Sequence, residues 1–147
     1  MADKTVLVTG ARGQIGRYVA QQFARTPGWR AIGLSRSAPE FGVDFEHLSV
    51  DLLDPKDCQE KIGAISGITH LVHAAFQPRA NDADAVAVNV AMLANFVEAA
   101  EAALARAKTT EPALNAFMLL CEEDALAQAR ESEARWMKGA PQGLVDG

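Results

Sequence analysis

The sequence predicts an α/β fold, a doubly wound parallel sheet of four to five strands with helices on both faces. Short apolar runs alternate with segments of helical periodicity from the N-terminus onward, which is the order that a parallel sheet with crossover helices requires. The strand-like runs are apolar throughout rather than alternating, as expected where both faces of a sheet are covered. The pattern fades after the fourth strand, so we expect a truncated form of this architecture.

The elements follow from periodicity and from the residues that begin and end them. Strands are predicted over residues 5–9, 29–35, 47–50 and 69–74, and helices over about 14–25, 55–62 and 82–107. Pro27-Gly28 ends the first helix, and Pro55 suits the first turn of the second. Asp82 or Asp84 is expected to cap the third helix. The face of the first helix that we expect to be buried carries Ile15, Val19, Ala20 and Phe23.

The C-terminal part has a weaker pattern. The apolar run 116–121 is a candidate fifth strand, and acidic residues at 122–124 suit the start of a helix that runs to about residue 138. Glu131 and Arg135 would form an i,i+4 pair on that helix. We therefore predict a nucleotide-binding domain over 1–107 and a strand and helix segment over 108–147 that docks on the same domain.

A glycine-rich loop follows the first strand, with the sequence Thr-Gly-Ala-Arg-Gly-Gln-Ile-Gly over residues 9–16. The first glycine permits a tight turn, the second lets a pyrophosphate approach the backbone, and the third lets the helix pack closely on the strand. The helix N-terminus then offers free N–H groups to phosphate. This order predicts a Rossmann-like dinucleotide site, with cofactor-binding residues Gly10, Arg12, Gly13, Gln14, Ile15 and Gly16.

The end of the second strand bears on the choice between NAD and NADP. Ser35 and Arg36 stand where an acidic residue would bind the ribose of NAD, and no carboxylate occurs before Glu40. An arginine there accommodates the 2′-phosphate of NADP, and Arg12 could add a second positive charge. We therefore favour NADP over NAD, although Arg36 could instead be a solvated loop residue.

Further cofactor-binding candidates follow the third and fourth strands. Asp51, next to Leu52, could accept a hydrogen bond from the adenine amino group or could cap the turn before Pro55, and both alternatives stay open. After the fourth strand, small residues would let the backbone approach the cofactor, and His73 is expected to be a spacer or core residue rather than a base. The remaining candidates are His73, Ala74, Ala75 and, in the long helix, Asn89, which could bridge backbone groups.

Composition limits the partners. A net charge of -5 and a pI near 5.1 argue against nucleic acid. No apolar run approaches membrane-spanning length, and no signal peptide is visible, so we expect a cytoplasmic protein without membrane contact. Cys58 and Cys121 make neither a disulfide framework nor a metal site. A homo-oligomer remains open.

Residues 1 to about 100 resemble the extended short-chain dehydrogenase/reductase family, and within it the progesterone 5β-reductase and iridoid synthase group. The resemblance is carried by the 9–16 loop, Asp51-Leu52, the segment 69–75, Asn89-Val90-Ala91-Met92-Leu93-Ala94-Asn95, Gly28-Trp29-Arg30 and Ser35-Arg36. It implies an oxidoreductase that uses NADPH to reduce the activated C=C bond of an enone, with an enone or carbonyl substrate if the chain is active.

The chain departs from that family at its catalytic residues. The family uses a tyrosine and a lysine beyond the fourth strand, but no Tyr-x-x-x-Lys occurs here and the only tyrosine is Tyr18 on the first helix. The catalytic residues are therefore unknown. We expect a cofactor-binding domain that is weak or inactive alone; the alternative is a structural or regulatory nucleotide-sensing module.

Residues 103–147 resemble a different family, the N-terminal part of amidase-signature hydrolases. The carrying residues are Pro112-Ala113-Leu114-Asn115-Ala116-Phe117, Ala125-Leu126-Ala127-Gln128-Ala129 and the run from Gly139 to Gly147. The resemblance implies a chimera, designed, recombined or produced by a sequence error, in which an amidase fragment lacks its catalytic site.

Overall fold

The structure is a computed structural model that describes residues 4–40 and 42–114, together with residues 131, 134, 135 and 138. By internal contacts the chain divides into two compact units, Met1–Thr110 and Glu111–Gly147. The predicted strand over 116–121 and most of the predicted helix over 122–138 lie outside the described residues. Arg135 Nη1 and Glu131 Oε2 lie 4.0 Å apart, as their i,i+4 spacing predicts. The architecture below is that of the first unit.

Four strands form one parallel sheet, which confirms the predicted fold class. The strands are β1 (Lys4–Thr9), β2 (Trp29–Ser35), β3 (Glu46–Ser49) and β4 (His70–Val72), in the spatial order β3-β2-β1-β4. Leu7 of β1 stands opposite Ile32 on one side and Leu71 on the other. β2 and β3 lie on one side of β1 and β4 on the other, so the strand order reverses between β1 and β4. Doubly wound sheets bind ligands at the carboxyl ends of the strands at such a reversal.

Helices cover both faces of the sheet, which is why its strands are apolar without alternation. The helices are α1 (Gln14–Ala24), α2 (Pro55–Lys61) and α3 (Asp82–Leu114). Val6 and Val8 point to the face where Ala20 of α1 is buried. Leu7 points to the opposite face, where Cys58 of α2 and Phe96 of α3 are buried. The side-chain period of two in β1 thus divides the core into two layers.

Several predicted boundaries and faces were wrong. β3 begins one residue earlier than predicted, β4 is confined to His70–Val72, and α3 continues to Leu114. Ile15 is 72% exposed rather than buried, because it stands in the first turn of α1 beside the glycine loop. The side chain of Asn81 caps α3 by accepting from the Asp84 N–H at 2.9 Å, so neither predicted aspartate is the cap.

Helix α3 is more apolar than the sequence analysis expected. Its segment Asp82–Arg106, which contains an 18-residue window with a mean hydropathy of 1.3, is the one helix among the described residues that is long and apolar enough to cross a membrane by length and composition. In the structure it carries a buried stripe at helical spacing, Met92, Phe96, Ala99 and Ala103. Met92, Phe96 and Ala99 belong to the core cluster that contains Leu7 of the sheet. Through this stripe α3 packs against the sheet.

Candidate functional site

A cleft of about 710 Å³ lies at the carboxyl ends of the strands. It is lined by the chain segments at and after the carboxyl ends of the four strands, namely the glycine loop after β1, the turn after β2, the residues after β3 and the segment after β4, and by Met92 of α3. All four strands are parallel, so these connections meet at one edge of the sheet. The cleft therefore occupies the position at which open α/β sheets bind ligands.

The glycine loop is fixed by close backbone packing. Gly10 has a φ of +69°, and a Cβ there would lie 2.6 Å from the Ala74 carbonyl oxygen. A Cβ on Gly16 would lie 2.4 Å from the Gly10 carbonyl oxygen, so α1 can approach β1 closely only because this residue has no side chain. Both positions exclude larger residues for the reasons that the sequence analysis gave.

The N-terminus of α1 opens onto the cleft without a cap. Gly13 is the N-cap residue, it makes no side-chain capping bond, and no acidic residue stands in the first turn. The first N–H groups of a helix have no acceptor within the helix. Gln14 and Ile15, in this first turn, both line the cleft. This end of the cleft therefore presents N–H donors and the positive end of a helix dipole to an anion.

Two arginines also line the cleft, Arg12 from the glycine loop and Arg36 from the turn after β2. Arg12 Nη1 donates to Ser37 Oγ at 2.8 Å, and Arg12 Nη2 is hydrogen-bonded to Glu40 Oε1. The backbone of Arg36 is held by Ser49, whose hydroxyl donates to the Arg36 carbonyl at 2.8 Å. Within the residues that the structure describes, the Arg36 guanidinium forms no ion pair. Of the two arginines that line the cleft, Arg12 is therefore ion-paired and Arg36 is not, within the described part of the chain.

The side chain of Ser35 stabilises the turn after β2 through two hydrogen bonds. Its hydroxyl donates to the Ser37 carbonyl at 2.9 Å, and it lies 2.9 Å from Nε2 of His47. Because the hydroxyl has only one proton, which goes to Ser37, Nε2 of His47 must carry the proton of the second bond. Ser35 also lines the cleft, but these two bonds already fix its hydroxyl.

The sequence analysis left two roles open for Asp51, a cap for the turn before Pro55 and a hydrogen bond to adenine. Asp51 caps a turn and also lines the cleft, so the two roles are compatible. Its Oδ1 accepts from the Leu53 N–H at 3.0 Å, while the helix cap before Pro55 is made by Asp54, which accepts from the Lys56 N–H at 2.9 Å. Asp51 and Leu52 both face the cleft. A bond from adenine to the other carboxylate oxygen stays a prediction.

His73 is tied to the end of β1. Its Nδ1 lies 3.0 Å from the hydroxyl of Thr9, and the same hydroxyl oxygen accepts from the Ala74 and Ala75 N–H groups at 3.0 and 3.2 Å. Burial lowers the pKa of His73, and no charged group contributes to that shift. These contacts agree with the expected spacer role.

Two asparagines of α3 hold the loops that form the cleft. Asn89 exchanges two bonds with the backbone of Gln77, accepting from its N–H at 2.8 Å and donating to its carbonyl at 3.0 Å. Asn95 donates to the Leu52 carbonyl at 2.8 Å. Asn89 was predicted to bind cofactor or to bridge backbone groups, and the structure shows the bridge.

Most of the predicted site residues are brought together in the cleft: Gly10, Arg12, Gly13, Gln14, Ile15, Ser35, Arg36, Asp51, Leu52, Ala74 and Ala75. Gly16, His73 and Asn89 are not part of the lining. The sequence analysis missed Leu34, Ser37, Val50, Phe76, Gln77, Pro78 and Met92. Ser37 could have been found as a hydroxyl beside Arg36, whereas the others reach the cleft only through the folding of the chain.

A second, more apolar cavity of about 570 Å³ adjoins the first and shares Ala75 and Phe76 with it. His73 and Asn89 line it, together with an apolar stripe of α3 made by Val86, Val90 and Leu93. Phe76 is 73% exposed between the two cavities. A small molecule with an apolar body could lie there, beside the segment that follows β4.

Comparison with known proteins identifies this arrangement. The model of the NAD dependent epimerase/dehydratase family matches residues 6–111, which include nearly all of the sheet and the whole cleft lining. The chain belongs to this family. Membership of the NAD dependent epimerase/dehydratase family makes the matched segment a nucleotide-binding domain of the oxidoreductase type, with NAD(P) as its cofactor class.

The curated relatives include a (S)-8-oxocitronellyl enol synthase of Nepeta cataria, 27% identical over 104 residues, and a 3-oxo-Delta(4,5)-steroid 5-beta-reductase of Arabidopsis thaliana, 24% identical over 104 residues. Each match covers 66% of this chain and 27% of the relative. The chain thus spans about a quarter of the length of these relatives. They confirm the predicted resemblance to short-chain dehydrogenase/reductase proteins.

Solved structures agree with this membership of the epimerase/dehydratase family. Uronate dehydrogenase from Agrobacterium tumefaciens is 28% identical, with a TM-score of 0.53, over 69% of this chain and 38% of the enzyme. A mutant of that enzyme, complexed with NAD, is 27% identical with a TM-score of 0.52, over 67% of this chain and 37% of the mutant. Neither these structures nor the curated relatives support the amidase resemblance of residues 103–147, which stays a prediction.

Proposed function

We propose that this domain binds NADP(H) in preference to NAD(H), with the pyrophosphate at the N-terminus of α1 and the adenosine 2′-phosphate between Arg36 and Arg12. The observation that carries the proposal is the lining of the cleft, which combines an uncapped helix N-terminus with two arginines. A dinucleotide needs both features, because its phosphates and its adenosine occupy different parts of such a cleft.

The pyrophosphate end fits because the backbone is accessible there. Gly13 brings no side chain between the cleft and the first turn of α1, and the absence of an acidic residue in that turn removes a competing anion. The phosphates would accept hydrogen bonds from the first N–H groups of the helix, where the helix dipole favours negative charge.

The adenosine end favours a phosphorylated ribose. Arg36 has its backbone held by Ser49 and its guanidinium outside any ion pair among the described residues. Ser37 accepts from Arg12 and keeps its own hydroxyl proton for a phosphate oxygen. Two guanidinium groups and one hydroxyl suit a phosphate dianion, since bonds between charged partners are the strong ones.

We propose cofactor binding, but not efficient catalysis, for these 147 residues alone. A bound NADPH supplies a hydride, and reduction of an enone then needs a proton donor near the second cavity. The 147 residues contain no Tyr-x-x-x-Lys, and Tyr18 lies on α1. His73 lines that cavity, but burial lowers its pKa and so favours the neutral imidazole. We therefore expect binding of the cofactor with weak or absent enone reduction.

Titration of the purified chain with NADPH and NADH, followed by nucleotide fluorescence, tests the site. Gly13→Val should abolish binding because the side chain fills the pyrophosphate space, whereas Gly42→Val is a control at a glycine with open space around it. Arg36→Asp should weaken NADPH binding by more than ten-fold, since loss of a bond to a charged group costs about 1.5–3 kcal/mol. Arg25→Asp, after the C-terminal end of α1, makes the same change of charge away from the cleft and is its control; because it also breaks the ion pair with Asp44 at 2.6 Å, its folding is checked first.

Three results would contradict parts of the proposal. If Gly13→Val folds and binds as the parent does, the glycine loop is not the site. Equal affinity of the parent for NADPH and NADH would remove the preference for NADP. Oxidation of NADPH by the parent chain in the presence of an enone would show that catalysis survives without the tyrosine and lysine.

A further inference from the structure

We propose that Glu40 sets how strongly the cleft discriminates between phosphorylated and unphosphorylated adenosine ribose, by competing with the 2′-phosphate for Arg12. The inference rests on the proposed NADP(H) site and adds a residue that acts against it. Glu40 is absent from the cleft lining, so its effect is exerted through Arg12 rather than through direct contact with the cofactor.

Arg12 has two partners on the turn after β2. Its Nη1 donates to Ser37 Oγ and its Nη2 to Glu40 Oε1, so the two ends of one guanidinium are held by two residues of the same turn. A phosphate in the cleft would offer Nη2 a second acceptor of the same sign as Glu40. One guanidinium edge cannot serve both anions at full strength, and the two must compete.

The two partners differ in how firmly they are held. The Ser37 carbonyl accepts from Ser35, which is itself bonded to His47 of β3, so Ser37 is fixed to the sheet. The Glu40 side chain lies three residues further along the turn and is 76% exposed. Arg12 can therefore exchange Glu40 for a phosphate while Ser37 continues to hold the guanidinium in place.

The competition affects the two cofactors unequally. The 2′-phosphate must displace a carboxylate from Arg12, while the free hydroxyl of NADH requires no such exchange. Glu40 thus weakens the binding of NADPH and leaves that of NADH unchanged. The pair is exposed, and exposed pairs of this kind change affinities by a factor of roughly two to five.

The experiment is titration of the chain and of Glu40→Gln and Glu40→Ala with NADPH and NADH at low salt. Both variants should lower the Kd for NADPH roughly two- to five-fold and leave the Kd for NADH unchanged. Glu60→Gln is the matched control, because Glu60 also forms an exposed pair, with Lys56 at 3.7 Å, and its loss changes the net charge equally. In an Arg12→Gln background, Glu40→Gln should have no effect.

The other possible results contradict either the role of Glu40 or the NADP(H) site on which it rests. An unchanged Kd for NADPH in both Glu40 variants overturns this inference while leaving the NADP(H) site intact. A raised Kd for NADH would show that Glu40 binds the ribose hydroxyls instead. If the parent binds neither nucleotide, the proposed function fails and this inference fails with it. A gain that persists without Arg12 would mean a long-range charge effect and would overturn the competition for Arg12.

Discussion

The hydroxyl of Thr9 is the proton donor to Nδ1 of His73, 3.0 Å away. The hydroxyl oxygen already accepts from the Ala74 and Ala75 N–H groups, so its own proton is left for the imidazole. Nε2 of His73 therefore carries the ring proton. One buried side chain at the end of β1 thus fixes the backbone after β4 and the tautomer of its histidine.

Thr9→Val should lower the free energy of unfolding by about 1–3 kcal/mol, because the Ala74 and Ala75 N–H groups lose their acceptor while the volume is kept. Urea denaturation measures the change. Thr26→Val is the control, since the Thr26 hydroxyl only donates to the Gln22 carbonyl in an exposed position. Equal losses in the two variants would show that the Thr9 hydroxyl has no special structural role.

Stability should decline as the pH falls from about 7.5 to about 5.5. Burial lowers the pKa of His73 and of His70 below the ordinary value of 6.5. In this pH range the unfolded chain therefore binds more protons at these histidines than the folded chain does. The free energy of unfolding consequently decreases as the pH falls below 6.5 toward the lower pKa of the folded state. Urea midpoints across this range measure the slope, and His73→Gln should reduce it. An unchanged slope in that variant would exclude His73 as a contributor.

Asn89→Ala should loosen the segment after β4. The variant removes both bonds to the Gln77 backbone, so the Gln77 amide should exchange with solvent faster, and stability should fall by about 1–3 kcal/mol. Hydrogen exchange of peptides covering residues 73–80 measures the first effect. Asn95→Ala, which breaks the bond to Leu52, is a matched control that should spare these peptides. Identical exchange profiles for the two variants would contradict the assignment.

Gly10→Ala should destabilise the chain more than Gly28→Ala. Both glycines have positive φ, +69° and +83°, and so share a conformational cost of roughly 1–2 kcal/mol for an L side chain. Only Gly10 has backbone atoms of Ala74 within 3 Å of the added Cβ, while nothing lies within 4 Å at Gly28. Thermal unfolding of the two variants compares them. Equal losses would mean that Ala74 moves away without cost.

Cys58 should resist alkylation in the folded chain. Burial, with a contribution from the Asp57 carboxylate, raises the pKa of its thiol to about 11, so the reactive thiolate is scarce at neutral pH. Iodoacetamide labelling of a Cys121→Ser variant, with and without urea, measures Cys58 alone. Labelling at the same rate in both conditions would contradict its burial.

The sequence predicted what depends on local pattern. The β2 strand, the start of α1 and the glycine loop follow from apolar runs and from residues with few allowed conformations. The bounds of β4 and α3 were less accurate. The extent of a short strand depends on its pairing with β1, and helix ends are among the least certain features of a sequence pattern.

The sequence analysis could identify those residues of the candidate site whose suggested role depends on the residue type alone. Arg36 and the three glycines are visible in the sequence because charge and the lack of a side chain act locally. The bonds of Glu40 to Arg12 and of Asn89 to Gln77 were not predicted, because each joins residues that only the folded chain brings together. Ile15 is an error of a different kind. Its place in the helical pattern predicted a core residue, but its side chain is exposed and lines the cleft.

The glycines of the loop and the charged pair of Arg12 and Glu40 differ in how freely evolution can change them. Gly10 and Gly16 are constrained by backbone atoms that would clash with any side chain, so replacement there would damage the fold itself. Arg12 and Glu40 are 48% and 76% exposed, and they contact each other rather than the core. Substitutions at these two positions can accumulate at little cost to folding. On the proposed NADP(H) site, a lineage could therefore exchange one nicotinamide cofactor for the other in small steps while Gly10 and Gly16 stay the same.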